Sequence, residues 1–230
     1  ITLLAQKRFL PADGRLTHRW ENALTLGPAA AALGADPFPS GGALGPCRIE
    51  DADTLGYAVF GPLLAAFTFW LARESKASGV SQLAFLAREG WALRPLYEAV
   101  RAVRPDLPSS TYLYASRRAV LAARQASAFD PDAVVTGPAF DGTLGALLQA
   151  RLGLEVKSAA AHKRLVLPQE AAQGRKMVES LQAEILAQAE PEALAMRAYL
   201  EQQGLAEGEV AVVDVGYRAT IQKGLQQVLG

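Results

Sequence analysis

One cysteine, two histidines and no surplus of charge are what this sequence has least of. Cys47 alone closes off any intrachain disulfide framework and fits a reducing compartment. His18 and His162 have no Cys or His partner at metal-ligand spacing, which argues against a zinc site. Lys plus Arg and Asp plus Glu number 23 each, so no overall field draws the chain to nucleic acid or to an anionic membrane. Any electrostatic argument must therefore come from local clusters. No basic stretch leads into an apolar one near residue 1, so no signal peptide is expected and the expected location is cytoplasmic. Gly-x-Ser-x-Gly elbows, Walker A loops and Gly-x-Gly-x-x-Gly fingerprints are missing as well. Apolar runs are short. The longest, residues 57–72, has 16 uncharged residues, below the roughly 20 needed to span a bilayer, and Gly61-Pro62 interrupts it. A buried core helix opened by Pro62 and closed at Gly79 is expected, with no membrane span.

What is present is half apolar, enough for a sizeable core. Residues 1–52 read as a weakly patterned arm, rich in Ala, Gly and Pro from Gly27 to Pro46. The chain opens on Ile1 and ends within a helical pattern at Gly230, so a piece of a longer protein, cut short at its C-terminal end, is expected. From residue 53 the pattern sharpens into alternating helices and strands. Strands are expected at 82–87, 111–115 and 209–214, with KRLVL at 163–167 as a short fourth. Between the first two, Leu93, Leu96, Tyr97 and Val100 fall at i, i+3, i+4, i+7 and predict an amphipathic helix. Residues 119–205 read as mostly helical. There Asp141 is expected to cap a helix that stops at Gly153, and Val178, Leu181 and Ile185 to share one face. Pro191 is expected to open a further helix ending near Gly204, and Ile221, Leu225 and Val228 to point inward from the last one. This alternation predicts a Rossmann-like α/β domain over 53–230, its three strands parallel and sharing an edge, with a helical cap-like insertion at about 119–205.

Each clear strand ends in polar chemistry. Arg88-Glu89-Gly90 follows LAFLA, Ser116-Arg117-Arg118 follows TYLYA, and Asp214-Val215-Gly216-Tyr217-Arg218 follows VAVV. Parallel sheets bind ligands beyond the carboxyl ends of their strands. Helix starts there offer free N–H groups and a positive dipole end, and arginines add charge-assisted donors suited to phosphate. One charged strand end is more often a solvated helix start; three of three favour a site. Arg88, Gly90, Ser116, Arg117, Arg118, Gly216, Tyr217, Arg218 and Thr220 are its expected phosphate-binding residues, with the two glycines admitting backbone close to a ligand. Asp214 is the strongest single candidate, because an acid straight after VAVV is costly to bury unless it pairs or binds a cation.

FLAREGWAL, YLYASRRA and VVDVGYRATIQ, preceded by GYAVFGPLLAAFTFWL, together resemble a bacterial haloacid dehalogenase-like family. Its members occur beside glycosyltransferase modules in surface-polysaccharide biosynthesis. The resemblance covers about residues 53–230. Active phosphatases of the superfamily carry Asp-x-Asp-Gly-Thr after the first strand, with the first Asp attacking phosphorus, the second acting as acid/base, and Mg²⁺ offsetting the charge. Laid on this chain, the motif reads Ala87-Arg88-Glu89-Gly90-Trp91. Ala87 stands where the nucleophile belongs, Glu89 where the acid/base does, and Ser116 where a second motif binds phosphate. Asp214 would be the Mg²⁺ ligand, although Gly-Tyr-Arg follows it in place of a second acid. The sequence specifies no cofactor beyond that.

The resemblance implies a degenerate domain that binds a phosphorylated sugar, a nucleotide or a nucleotide sugar. It leaves open an active phosphohydrolase or phosphotransferase using Glu89 or Asp214 as base. A structural module that docks a glycosyltransferase domain is the third possibility. With Ala87 in the nucleophile position, little or no Mg²⁺-dependent phosphatase activity is expected.

Overall fold

The computed structural model describes residues 51–216 and 219–229, so the expectations for His18, Cys47 and most of the N-terminal arm lie outside the described residues. The chain divides into two compact units. Described residues 51–79 and 92–107 belong to the first, and 80–91 with 108–229 to the second.

In the first unit, helix α1 (Ala52–Leu55) passes through a π-helical segment (Gly56–Phe60) into α2 (Gly61–Ala77). Pro62 lies in the first turn of α2, where its missing N–H costs nothing. The helix stops at Ser78, whose N–H reaches Glu74 O at 2.9 Å, and Gly79 takes the left-handed conformation, φ 69°. Among the described residues no helix is long and apolar enough to cross a membrane. Nor is 57–72 wholly a core helix. Leu71 and Ala72 are buried, while Tyr57, Phe60, Leu63 and Trp70 are exposed. A run apolar on every face gives no signal of which face turns inward. Helix α3 (Gly90–Val103) begins in the second unit and continues in the first. Its inward stripe is Leu93 and Tyr97, with Val100 half-buried, whereas Leu96 is exposed: the stripe is narrower than four apolar positions suggested.

The second unit is built on strand β1 (Gln82–Leu86) at the centre of a three-stranded sheet. On either side lie β2 (Ser109–Leu113) and β5 (Val210–Val213), both parallel to β1, in the order β2-β1-β5. This is the expected α/β, Rossmann-like arrangement. β1 is buried almost throughout, which suits a central parallel strand with both faces covered. β2 lies two residues earlier than expected. The Ala115 N–H turns back to Leu113 O at 3.0 Å, so the ladder ends at Leu113 and Tyr114-Ala115 lead off to a helix.

That helix, α4 (Arg117–Ser127), is followed by α5 (Pro131–Val135), β3 (Phe140–Thr143) and α6 (Leu144–Leu152). A 3₁₀ turn (Ala159–His162), β4 (Arg164–Leu167), α7 (Ala171–Glu179) and α8 (Gln182–Gln202) complete the segment before β5, and α9 (Thr220–Leu229) follows β5. β3 was not expected. It pairs antiparallel with β4, and Asp141 sits in that strand, held by the Arg164 guanidinium at 2.8 and 3.0 Å. Thr143 caps α6 in its place, accepting from Ala146 N at 3.2 Å. Pro191 likewise opens no helix but lies inside α8, while the chain breaks earlier, between α7 and α8. An internal proline costs about 3 kcal/mol; burial of Ile185, Ala189, Ala193 and Leu200 along α8 offsets it.

Two apolar clusters fill this unit. One gathers Ala84, Leu86 and Leu113 of the sheet with Val120 and Ala123 of α4, Ala193 and Leu200 of α8, and Leu225 and Val228 of α9. Ile221 packs against it, half-buried. The other lies around β3 and β4, and takes in Leu147, Leu165, Val178, Leu181 and Ile185. Helices α4 and α8 contribute to both clusters.

Candidate functional site

A cleft of about 710 Å³ opens where the three parallel strands end. That volume falls within the range of roughly 300–1,000 Å³ typical of small-molecule sites. Ala87, Arg88 and Glu89 line it from the end of β1, Tyr114, Ala115, Ser116 and Arg117 from β2, and Asp214, Val215, Gly216 and Thr220 from β5. The topology is the cause. Parallel neighbours bring residues 88, 117 and 214 to one edge, although local sequence gives them no reason to meet.

At the first strand end Arg88 is almost fully exposed, and its guanidinium lies 3.6 Å from Glu89 Oε1. The Glu89 carboxyl also accepts from the Arg88 N–H at 3.3 Å. Its pKa is lowered, chiefly by its own backbone N–H and then by the Arg88 N–H, with the charges of Arg88 and of Arg117 adding to the effect. Arg117 belongs to the neighbouring strand end, so its field reaches across the cleft. Glu89 is therefore a carboxylate at neutral pH, an acceptor and not a proton donor. Gly90 is buried and does not line the cleft. A Cβ there would stand 2.8 Å from Phe85 C and 2.9 Å from its Cβ, so this glycine seats the start of α3 on β1 and does not admit a ligand.

At the second strand end Ser116 is the N-cap of α4, its Oγ accepting from Ala119 N at 3.1 Å. Capping leaves the N–H groups of residues 117 and 118 without an intrahelical partner at the edge of the cleft. The Arg118 side chain is not in the cleft. It lies against Gly153 at the C-terminal end of α6, where a cation meets the negative end of a helix dipole.

At the third, Asp214 is half-buried and accepts the Gly216 N–H at 2.8 Å. A side chain at 216 would crowd that carboxylate, which explains the glycine. Among the described residues no cation pairs with Asp214. Ala219, just before α9, takes φ 50°, a left-handed conformation that costs a non-glycine residue roughly 1–2 kcal/mol. Such strain concentrates at functional sites. Tyr217 and Arg218 lie outside the described residues.

The superfamily's Mg²⁺ site does not fit these residues. It needs a carboxylate at position 87, where a methyl group stands, and no group of three or more metal-binding side chains exists among the described residues. Reasoning from charge also overlooked the apolar lining. Tyr114 and Val215 are exposed and line the cleft beside Ala87, Ala115 and Ile221. Their signal in the sequence was position, since each sits just past the end of a strand. No protein-family model matches the chain, and no curated protein matches it either.

Proposed function

We propose that the cleft is a binding site for a small phosphorylated ligand, a phosphorylated sugar or a nucleotide. It works without covalent phosphoryl transfer to residue 87. One observation carries the reading: three strand ends and the starts of α4 and α9 converge on one cleft of suitable volume. The free N–H groups at those helix starts, with Arg88 and Arg117, suit the phosphate. Asp214, a half-buried carboxylate lining the cleft, suits a sugar hydroxyl. It would sit away from the phosphate, because two negative groups repel at contact range. The motif resemblance adds a setting for this reading: cytoplasmic steps of cell-surface polysaccharide synthesis, beside a glycosyltransferase.

A thermal-shift and calorimetric screen against sugar phosphates, nucleotides and nucleotide sugars, with and without Mg²⁺, tests it. Ligand at about 100 times its Kd stabilises the native state by about 2.7 kcal/mol, a readily measured rise in Tm. Saturable binding that does not depend on Mg²⁺ is the expected result. No shift with any member of the panel at millimolar concentration would overturn the reading and leave the docking-module alternative.

A further inference from the structure

Charge accounts for the rim of the cleft but not for its apolar wall. Tyr114 is 72% exposed and Val215 is 62% exposed, and both line the cleft. Tyr114 is nevertheless held in place. Its N–H donates to the Tyr199 hydroxyl on α8 at 2.8 Å, and its ring meets Tyr112 edge-on at 5.0 Å and 86°. An edge contact of this kind leaves a face of one ring open.

Three residues just past the strand ends meet at the cleft. The Ala87 N–H, bonded to Leu113 O at 3.0 Å, holds the end of β1 against the end of β2, and the β1–β5 pairing closes at Phe85 and Val213. Tyr114, Ala87 and Val215 follow these three ends, and all three line the cleft. Ala87, after the central strand, carries only a methyl group between two larger side chains, so a slot is left with Tyr114 and Val215 as walls and Ala87 as floor.

We infer that this slot holds a planar heteroaromatic ring, which makes the phosphorylated ligand a nucleoside phosphate. The inference rests on the phospholigand reading of the same cleft. A nucleobase is flat and has two π-faces to offer two walls, whereas a pyranose is a puckered, non-aromatic ring fringed with hydroxyls. The adjacent helix starts take the phosphate, and Asp214, one residue before Val215, is within reach of the ribose hydroxyls.

Titration calorimetry of the wild type, Tyr114→Leu and Tyr114→Phe with AMP, UMP, adenosine, ribose 5-phosphate and inorganic phosphate tests this. AMP or UMP is expected to bind about tenfold more tightly than ribose 5-phosphate, the scale of one base stacking on an aromatic ring. Tyr114→Leu removes that advantage, Tyr114→Phe keeps it, and neither changes the affinity for ribose 5-phosphate. Adenosine binds weakly and in a Tyr114-dependent manner. Equal affinities of nucleotides and ribose 5-phosphate for the wild type would overturn the inference alone, as would a Tyr114→Leu variant that weakens both alike. If no phosphorylated compound binds, the phospholigand reading falls and the slot falls with it.

Discussion

Substituting Gly90 by alanine sets two known effects against each other. Alanine is the better helix former, by about 1 kcal/mol in a helix interior, and it also narrows the unfolded ensemble. Both effects favour the variant, though less so at the first residue of a helix. Against them stand three atoms of Phe85: a Cβ at position 90 would lie 2.8 Å from its C, 2.9 Å from its Cβ and 3.0 Å from its O. Ordinary carbon contacts are about 3.5–4.0 Å, so something must move by most of an ångström. Phe85 is fully buried on the central strand and is flanked by β2 and β5, so it is not the part that yields. The start of α3 must shift, and overpacking of this kind costs about 1–3 kcal/mol. The clash wins, and Gly90→Ala is expected to lose about 1–2 kcal/mol in urea denaturation, read as a lower midpoint at unchanged slope. Gly56→Ala is the control, because a Cβ there meets nothing within 4 Å, and it should be neutral or stabilising. A Gly90→Ala midpoint at or above that of the wild type would refute the close-approach account. Because the shift also displaces Arg88 and Glu89, phospholigand affinity should fall alongside stability.

Arg117→Ala should weaken binding of a phospholigand by about 1.5–3 kcal/mol in calorimetry, the scale for a hydrogen bond to a charged group; unchanged affinity would remove Arg117 from the site. Glu89→Gln should tighten it, by about 0.7 kcal/mol for one charge about 6 Å away in water, and the gain should fade as salt is added. Little or no Mg²⁺-dependent turnover of a simple phosphoester is expected, and activity that vanished in Glu89→Gln would instead make Glu89 a base. Arg164 holds the Asp141 carboxyl below its ordinary value of 3.8, first by hydrogen bonds and then by charge. A lowered folded-state pKa stabilises above the unfolded value and is lost as pH falls through the folded one. The denaturation gap between wild type and Asp141→Asn should therefore hold from neutrality down and close in acid; a gap that is the same in strong acid would refute the pairing.

The central sheet was legible because its strands are compact apolar runs and their polar ends announce one edge. β3 was not, because Phe140-Asp141-Gly142-Thr143 reads locally as a turn and a helix cap. It becomes a strand only through Arg164, 23 residues along the chain. Pro191 misled for a related reason: its cost is local, while the burial that outweighs it is set by distant partners along the whole of α8. At the site, Arg88, Glu89, Ser116, Arg117, Asp214, Gly216 and Thr220, singled out as polar residues past the strand ends, line one cleft. Charge could not separate Arg117 from Arg118, whose side chains diverge on the first turn of one helix. Nor could it reveal that the vacancy at Gly90 is filled by Phe85. The expectations for Tyr217 and Arg218 fall outside the described residues.

The strand order β2-β1-β5 has a consequence for how the chain folds. Pairing β1 with β2 closes a loop of 28 residues, from Ser81 to Ser109. Pairing β1 with β5 closes one of 128, from Ser81 to Glu209. On the logarithmic dependence of closure entropy on length, the second costs about 1.4 kcal/mol more than the first, before any helix in between is counted. The β1–β2 half therefore has the easier nucleation, and it gathers Arg88, Glu89, Tyr114 and Arg117 early. Asp214, Val215 and the start of α9 arrive with the last strand to dock. A ligand that spans both sides of the cleft accordingly binds only chains that have finished folding, and it slows their unfolding by holding β5 in place.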